Sequence, residues 1–523
     1  MIKIKPILLE VFKNRFSSIA EEMGVTLQRT AFSPNIKERM DFSCAIFDHA
    51  GEMIAQAAHI PVHLGSLPMS VNAAMACTRW EEGDMVFLND PYQGGSHLPD
   101  ITIIAPVFAT AGPPSFFVAN RAHHADVGGM SSGSMPIASS IFQEGIIIPP
   151  IKLVSKGNLD QQIMSLFLRN VRTPSERKGD FDAQIMANRT GVKRVLELIE
   201  KYTIQQVETY ANGLIDYAEK IMRRTIKDIP DGIYEFKDFL DDDGLGNQNL
   251  PIQVSIIIRA NEAVIDFTNS GRQTKGSVNA VFSITLSAVL YVFRSLVAQD
   301  IPANSGCLKP LKIITRKGSI VDAQFPAAVA GGNVETSQRI VDVLLGALFK
   351  ALPDRIPAAS QGTMNNLSLG GIDPESNVSF AYYETIAGGM GASASFEGER
   401  GVHSHMTNTL NTPIEALEYS YPLLITEYSL RKGSGGNGFH KGGDGLVREM
   451  QLLADADVTV LSERRTRAPY GFLEGEPGEK GKNIVISSEG TKEVKGGKFS
   501  ASLREKDILR IETPGGGGFG RKK

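Results

Sequence analysis

Asn89-Asp-Pro-Tyr-Gln-Gly-Gly-Ser-His97-Leu-Pro-Asp100-Ile-Thr-Ile-Ile-Ala-Pro-Val-Phe108 is the stretch that decides how this chain is read, together with Ser115-Phe-Phe-Val-Ala119 and Arg121-Ala-His-His-Ala-Asp126 just after it. Residues 100–108 and 115–119 read as two strands, rich in β-branched and aromatic side chains. Paired as a hairpin, they return Asp100 and His123 to the same end of a sheet. His97 stands three residues before Asp100 on a loop led by Gly94-Gly95, and a loop of that kind can turn both side chains to one point. Three of the chain's nine histidines fall in this window, beside Asp90, Asp100 and Asp126. Imidazole with carboxylate suits a divalent cation such as Zn²⁺ or Mn²⁺. A lone histidine here would be an ordinary core or surface residue. The His-x-x-Asp step followed by a His-His pair across a hairpin points instead to a metal site.

Working outward, residues 5–30 read as a helix, with Phe16 and Met23 joined by Val11 or Phe12 and by Ile19 or Ala20 in a stripe. Asp41–Asp48 reads as a strand, 49–51 as its turn and Met53–Ala57 as a returning strand. Ser66–Cys77 reads as a helix, and Met85–Leu88 as a short buried strand running into the Asn89 loop. The candidate ligands therefore sit at strand ends and on loops, where sites are commonly built. Residues 180–225 read as long helices, with Val195, Leu198, Ile199 and Tyr202 on an apolar face. From Ile229 the pattern changes to strands. Asp241-Asp-Asp-Gly244 reads as a solvated turn rather than a cation site, 250–267 as strands and 280–297 as a helix. Residues 310–400 read as strand and loop with one helix near 337–351, and 420–520 as glycine-rich strand. No linker, repeat or low-complexity tract divides the 523 residues. The expected class is α+β: mixed, largely antiparallel sheets with packed helices, one intertwined body over 1–523. It admits two lobes, a metal-bearing 1–225 and a strand- and glycine-rich 226–523.

A net charge of −4 over this length indicates neither nucleic-acid nor membrane attraction. Three cysteines make no disulfide framework and fit a reducing cytoplasm. Residues 1–6 do not lead into a signal-peptide core, and the longest apolar run, 280–293, is too short for a bilayer. Gly94-Gly95, Gly128-Gly129, Gly331-Gly332, Gly370-Gly371 and Gly388-Gly389 read as tight turns, or as points of close backbone approach.

Six phrases carry a resemblance. They are the Asn89–Asp100 stretch, Gln143-Glu-Gly-Ile-Ile-Ile-Pro-Pro150, Gly332-Asn-Val-Glu-Thr-Ser-Gln-Arg339, Tyr383-Glu-Thr-Ile-Ala-Gly-Gly389, His403-Ser-His-Met-Thr-Asn-Thr409 and Thr513-Pro-Gly-Gly-Gly-Gly-Phe-Gly520. In this order, over nearly the whole chain, they resemble the hydantoinase B/oxoprolinase family. The resemblance implies a B-type subunit working with an A-type subunit that binds ATP and phosphorylates a carbonyl oxygen of the substrate. Agreeing with this, the chain shows no Gly-x-x-x-x-Gly-Lys-[Ser/Thr] phosphate loop. The resemblance also implies a metal set of His97, Asp100 and His123 with Asp41 as fourth ligand, Asp41 otherwise being a strand-entry residue. His124 and Asp126 are then the supporting, catalytic candidates: one orients a ligand or takes a proton from metal-bound water. His124 is equally readable as a structural histidine.

Weaker candidates are Asn333, Glu335 and Arg339, lining a pocket or intersubunit channel or serving as loop and cap residues, and Glu384 on a substrate-facing loop. His403 and His405 alternate and on a strand would share one face able to bind metal, but a polar loop near the pocket is the preferred reading. Cys44, Cys77 and Cys307 have no nearby histidine in sequence, and no thiol nucleophile is expected. The implied activity is ATP-dependent opening of a cyclic amide by metal-activated water, in a cytoplasmic hetero-oligomer. The alternatives are a subunit of an ATP-dependent ketone carboxylase and a non-catalytic stabilising subunit.

Overall fold

The computed structural model describes residues 4–57 and 60–522. A seven-stranded antiparallel sheet positions the hairpin. Its strands are β1 (Phe42–Asp48), β2 (Met53–Gln56), β3 (Met85–Leu88), β4 (Asp100–Val107), β5 (Phe116–His123), β6 (Ile151–Ser155) and β7 (Asn158–Leu159), in the order β2-β1-β5-β4-β3-β6-β7. β4 and β5 pair along their whole length, from Val107 opposite Phe116 to Asp100 opposite His123. Both faces of this sheet are covered. Ala45, Phe47, Ile104, Phe117 and Ala119 pack with Leu67 and Val71 of the helix Ser66–Cys77. Cys44, Ile46, Ile103 and Val118 belong to the main core with Phe181 and Ile185 of the helix Pro174–Tyr202. Burial on two faces explains why β4 is a nearly unbroken apolar run rather than an alternating one. Pro106 is tolerated because β3 pairs only with residues 102–104, so Pro106 lies where β4 has a single neighbour.

β5 continues four residues past the strand read from the sequence, through Asn120-Arg-Ala-His123. Polar side chains run on in a buried strand because each is satisfied. Asn120 donates to the Gln184 carbonyl and to Asn188 Oδ1, at 2.8 and 2.9 Å. Arg121 donates to Thr102 Oγ1 at 2.8 Å, to Ser70 Oγ at 2.7 Å and to Ser66 Oγ.

The helix Pro6–Thr30 starts with proline in its first turn, where no donor is needed. It lies against Pro174–Tyr202 and β1, and Phe12 stacks on Tyr210 of Ile204–Lys227 at 4.6 Å. Gly232–Asp242, Gln248–Arg259, Glu262–Asp266 and Leu311–Ile314 form a second sheet, whose last pair is parallel. Two further antiparallel sheets enclose a second apolar core that runs from Leu367 to Ile511. The architecture is α+β with largely antiparallel sheets.

One local expectation changes. Asp241 and Asp243 are buried, not solvated. Asp241 accepts from the backbone of Arg465 and Thr466, and Asp243 caps its own turn at Leu245 and Asn247. His403 and His405 are on a loop, as expected, His405 at φ +59°. Among the paired glycines, Gly94, Gly128 and Gly129 do take positive φ. Gly515–Gly518 do not, and serve close packing instead: a Cβ on Gly516 would overlap the Met390 carbonyl, and one on Gly517 the Tyr470 carbonyl.

Candidate functional site

The register that places Asp100 opposite His123 also sets which side chains face together. Side chains alternate along β5, so His123 and Arg121 share one face and His124 takes the other. Asp41 precedes β1, and its carbonyl accepts the His123 N–H at 3.0 Å, which brings Asp41 beside His123. His97 reaches the same point from the loop before β4. Asn89 ties that loop down by donating to the Leu98 carbonyl at 2.8 Å. Asp41, Asp100 and His123 line a small cavity of about 20 Å³, together with His63, Asn333 and Tyr383.

Asp100 Oδ2 is crowded: Ser96 Oγ donates to it at 2.5 Å, His97 Nδ1 lies at 3.1 Å and His63 Nε2 at 3.3 Å. Its other oxygen, Oδ1, is buried without a partner, as is His123 Nε2. His97 turns its second nitrogen, Nε2, to Asn333 Nδ2 at 3.4 Å. The His123 ring is stacked on Tyr383 at 4.5 Å, and Tyr383 in turn donates to Asn366 Oδ1 at 2.7 Å. Burial works against charge at Asp100, and the His97 and His63 imidazoles more than offset it, so its carboxyl lies well below the usual range. Burial lifts Asp41 above that range although the Arg39 guanidinium is 3.9 Å away. Burial, then His97, holds His123 well below the ordinary imidazole value, so its ring is neutral at pH 7.

These donors fit a divalent cation in kind: Asp41, Asp100 and His123 line a space of one ion, His97 lies against Asp100, and Asp100 Oδ1 and His123 Nε2 have no partner. They are not drawn together as a finished set. Among the described residues no three His, Cys, Asp or Glu side chains gather as ligands, because His97 and His63 are turned onto Asp100. His123 needs one further change. Arg39 donates to Asn35 Oδ1 at 3.2 Å, which leaves the Asn35 amide N–H to face His123 Nδ1 at 3.2 Å. That puts the ring proton on Nε2. Ligation through Nε2 requires Asn35 to present its oxygen instead.

The two catalytic candidates do not reach the cavity. His124 lies on the helix side of β5, 2.9 Å from Gln184 Oε1 and against the Phe181 ring. Burial pushes it down to about 4. Asp126 is held by Arg172, through the guanidinium at 2.7 Å and the backbone N–H at 2.8 Å. Glu384 is no substrate-facing group either, since it is buried against Arg448 at 2.8 Å. Arg339 joins a buried network with Asp238, Asp342 and Glu463. Glu335 accepts from the Met364 N–H and Asn366, and is pushed up to about 8 by burial. Only Asn333 of that group meets the cavity. Sequence reasoning misses His63. Its one signal in the sequence is a histidine in Ile60-Pro-Val-His-Leu-Gly65, a segment too short and irregular to show periodicity.

A larger open cleft of about 540 Å³ adjoins this site. Pro61 and Tyr291 line the cleft, whereas Ile60, Val62 and Met406 line the small cavity. Tyr291 OH meets His405 Nδ1 at 3.3 Å.

The family model for hydantoinase B/oxoprolinase matches residues 5–522. The chain belongs to the hydantoinase B/oxoprolinase family. Among its relatives is the 5-oxoprolinase of Dictyostelium discoideum, 42% identical over 99% of this chain. The chain spans only 41% of that protein's length. A Pseudomonas sp. (strain NS671) protein named for the B-type subunit of a D-/L-hydantoinase is 30% identical, over 99% of this chain and 90% of its own. The ATP-dependent caprolactamase of Pseudomonas jessenii superposes with a TM-score of 0.92 at 29% identity, over 99% of this chain and 92% of that one. The hydantoinase B fold thus occurs both as a separate chain and as part of a longer one.

Proposed function

We propose that this chain is the B-type unit of an ATP-dependent cyclic amide hydrolase, acting on a hydantoin or 5-oxoproline type of ring. The observation that carries the reading is the Asp100–His123 cross-strand pair, which lines one ion-sized space with Asp41, leaves Oδ1 and Nε2 without partners, and has His97 against Asp100 at 3.1 Å. The names of the relatives support the substrate class. Asp41, His97, Asp100 and His123 would hold a divalent cation, Zn²⁺ or Mn²⁺. Such a cation supplies Lewis acidity and an acidified water near neutral pH.

The chain's own residues do the rest. Buried carboxyl groups and the neutral His123 ring give a preorganised polar wall, which is worth most where bulk water is excluded. At about 20 Å³ the cavity holds one water or ion and no more. Ring substrates need several hundred Å³, which the adjoining cleft of about 540 Å³ offers. The cleft, which neighbours the site through Ile60-Pro61, is where substrate would seat. The ATP-using step falls to an A-type unit, joined in one chain in some relatives and separate in others.

The test is co-expression with an A-type partner, then incubation of cyclic amides with ATP. Expected is ring opening with ATP consumption, independent of bicarbonate, and its loss in Asp100→Asn while ATP turnover by the partner partly survives. No ring opening of any cyclic amide by the assembled pair, or strict bicarbonate dependence, would sink the reading.

A further inference from the structure

We infer that His63, fixed by Ser43, positions Asp100 for the cation and is not itself a ligand. The inference rests on the cation reading above. His63 is 1% exposed and closes the turn Pro61–His63, where proline sets the backbone and the His63 N–H bonds the Ile60 carbonyl at 3.2 Å. Its Nδ1 is 2.9 Å from Ser43 Oγ and its Nε2 is 3.3 Å from Asp100 Oδ2. A carboxylate can only accept, so Nε2 carries the ring proton. Nδ1 of that tautomer accepts, and the Ser43 hydroxyl is the donor facing it. Ser43 lies opposite Arg121 on β1, two residues from Asp41, on the face of the sheet that holds the site. Both His63 nitrogens are thereby committed, and the Ser43 contact with Nδ1 at 2.9 Å is shorter than the 3.4 Å contact between Asn333 and His97 Nε2.

The consequence appears at Asp100. Ser96, His63 and His97 all crowd Oδ2, while Oδ1 stays buried and free. Donors gathered on one oxygen fix the carboxylate's rotation and leave the other oxygen for the ion. Outer groups of this kind change metal affinity about 10- to 100-fold when removed.

The experiment is calorimetric titration of the purified full chain with Zn²⁺ and Mn²⁺, plus the visible spectrum of its Co²⁺ form. His63→Phe, which keeps a ring and lacks the donor, should bind about 10- to 100-fold more weakly. His63→Gln, whose amide can still donate to Asp100, should bind within a few-fold of wild type and keep its Co²⁺ spectrum. A His63→Phe chain with unchanged affinity overturns the inference. So does a His63→Gln spectrum that has lost a nitrogen ligand, since His63 is then in the coordination set. If His63→Phe does not fold, Ser43→Ala decides: weaker binding is expected, and unchanged affinity overturns the proposal. A wild-type chain that takes up no cation refutes the cation reading and this inference together. Uptake with an indifferent His63 refutes this inference alone.

Discussion

Replacing Glu144 by glutamine should make the chain more stable above neutral pH and leave it nearly unchanged near pH 5. Glu144 is fully buried and accepts the N–H groups of Val329 and Ala330, at 2.8 and 2.9 Å, on one oxygen. Its second oxygen has no partner. Burial outweighs the two bonds and pushes the carboxyl from 4.5 up to about 8. Across that window the folded chain holds a proton that the unfolded chain has released. Stability therefore falls as pH rises, with no penalty below about 4.5 and the whole of it above about 8. At about 1.4 kcal/mol per pH unit, the gap sets a ceiling on the order of 4–5 kcal/mol. The glutamine of Glu144→Gln keeps the acceptor oxygen and cannot ionise, so only this penalty is removed. The assay is urea denaturation of both chains from pH 5 to pH 8.5. The stability difference should grow across that range, toward several kcal/mol. A difference that stays flat with pH would refute the reasoning, because it would mean the carboxylate is ionised in the folded chain at little cost. The segment anchored by Glu144 leads into Gly332–Thr336, which carries Asn333 to the cavity, so the same titration bears on the site.

Gly516→Ala puts a methyl into the Met390 carbonyl and against the Gly391 N–H; backbone on the far side cannot swing away, and a loss above about 4 kcal/mol or failure to fold is expected in thermal melts. Gly490→Asn is the control, at φ +88° with nothing within 4 Å, and should cost about 1–2 kcal/mol at most. Arg448→Met strands the buried Glu384 carboxylate and should cost about 3–5 kcal/mol, most of it recovered when Glu384→Gln is added; absence of recovery would show that packing, not charge, dominates. Asp126→Asn should lower stability and leave cation affinity unchanged by titration, since Asp126 faces Arg172; a large fall in affinity would restore it to the site.

Much of the first half was legible. The helices Pro6–Thr30 and Ser66–Cys77 and the strand Met85–Leu88 follow from periodicity and from apolar runs bounded by polar residues. The hairpin and its Asp100–His123 register followed from two short runs and the spacing between them. What stayed illegible was the far end of β5. Asn120 and Arg121 look like loop residues until Gln184, Asn188 and Thr102 are brought to them from distant positions. At the glycine-rich end the content of glycine permits close backbone approach, but which segments meet at Gly515–Gly518 is set by the fold.

Local sequence alone determined the elements, the hairpin and three of the side chains at its open end, because strand alternation and loop spacing act over a few residues. The tertiary structure decided the rest. It set His124 on the opposite face and gave Asp126 to Arg172. It brought His63 from a turn, Asn333 from the helical segment Gly332–Thr336 and Tyr383 from a different sheet to line the cavity. Those outcomes depend on which buried polar groups find partners across hundreds of residues, and no local pattern encodes that choice.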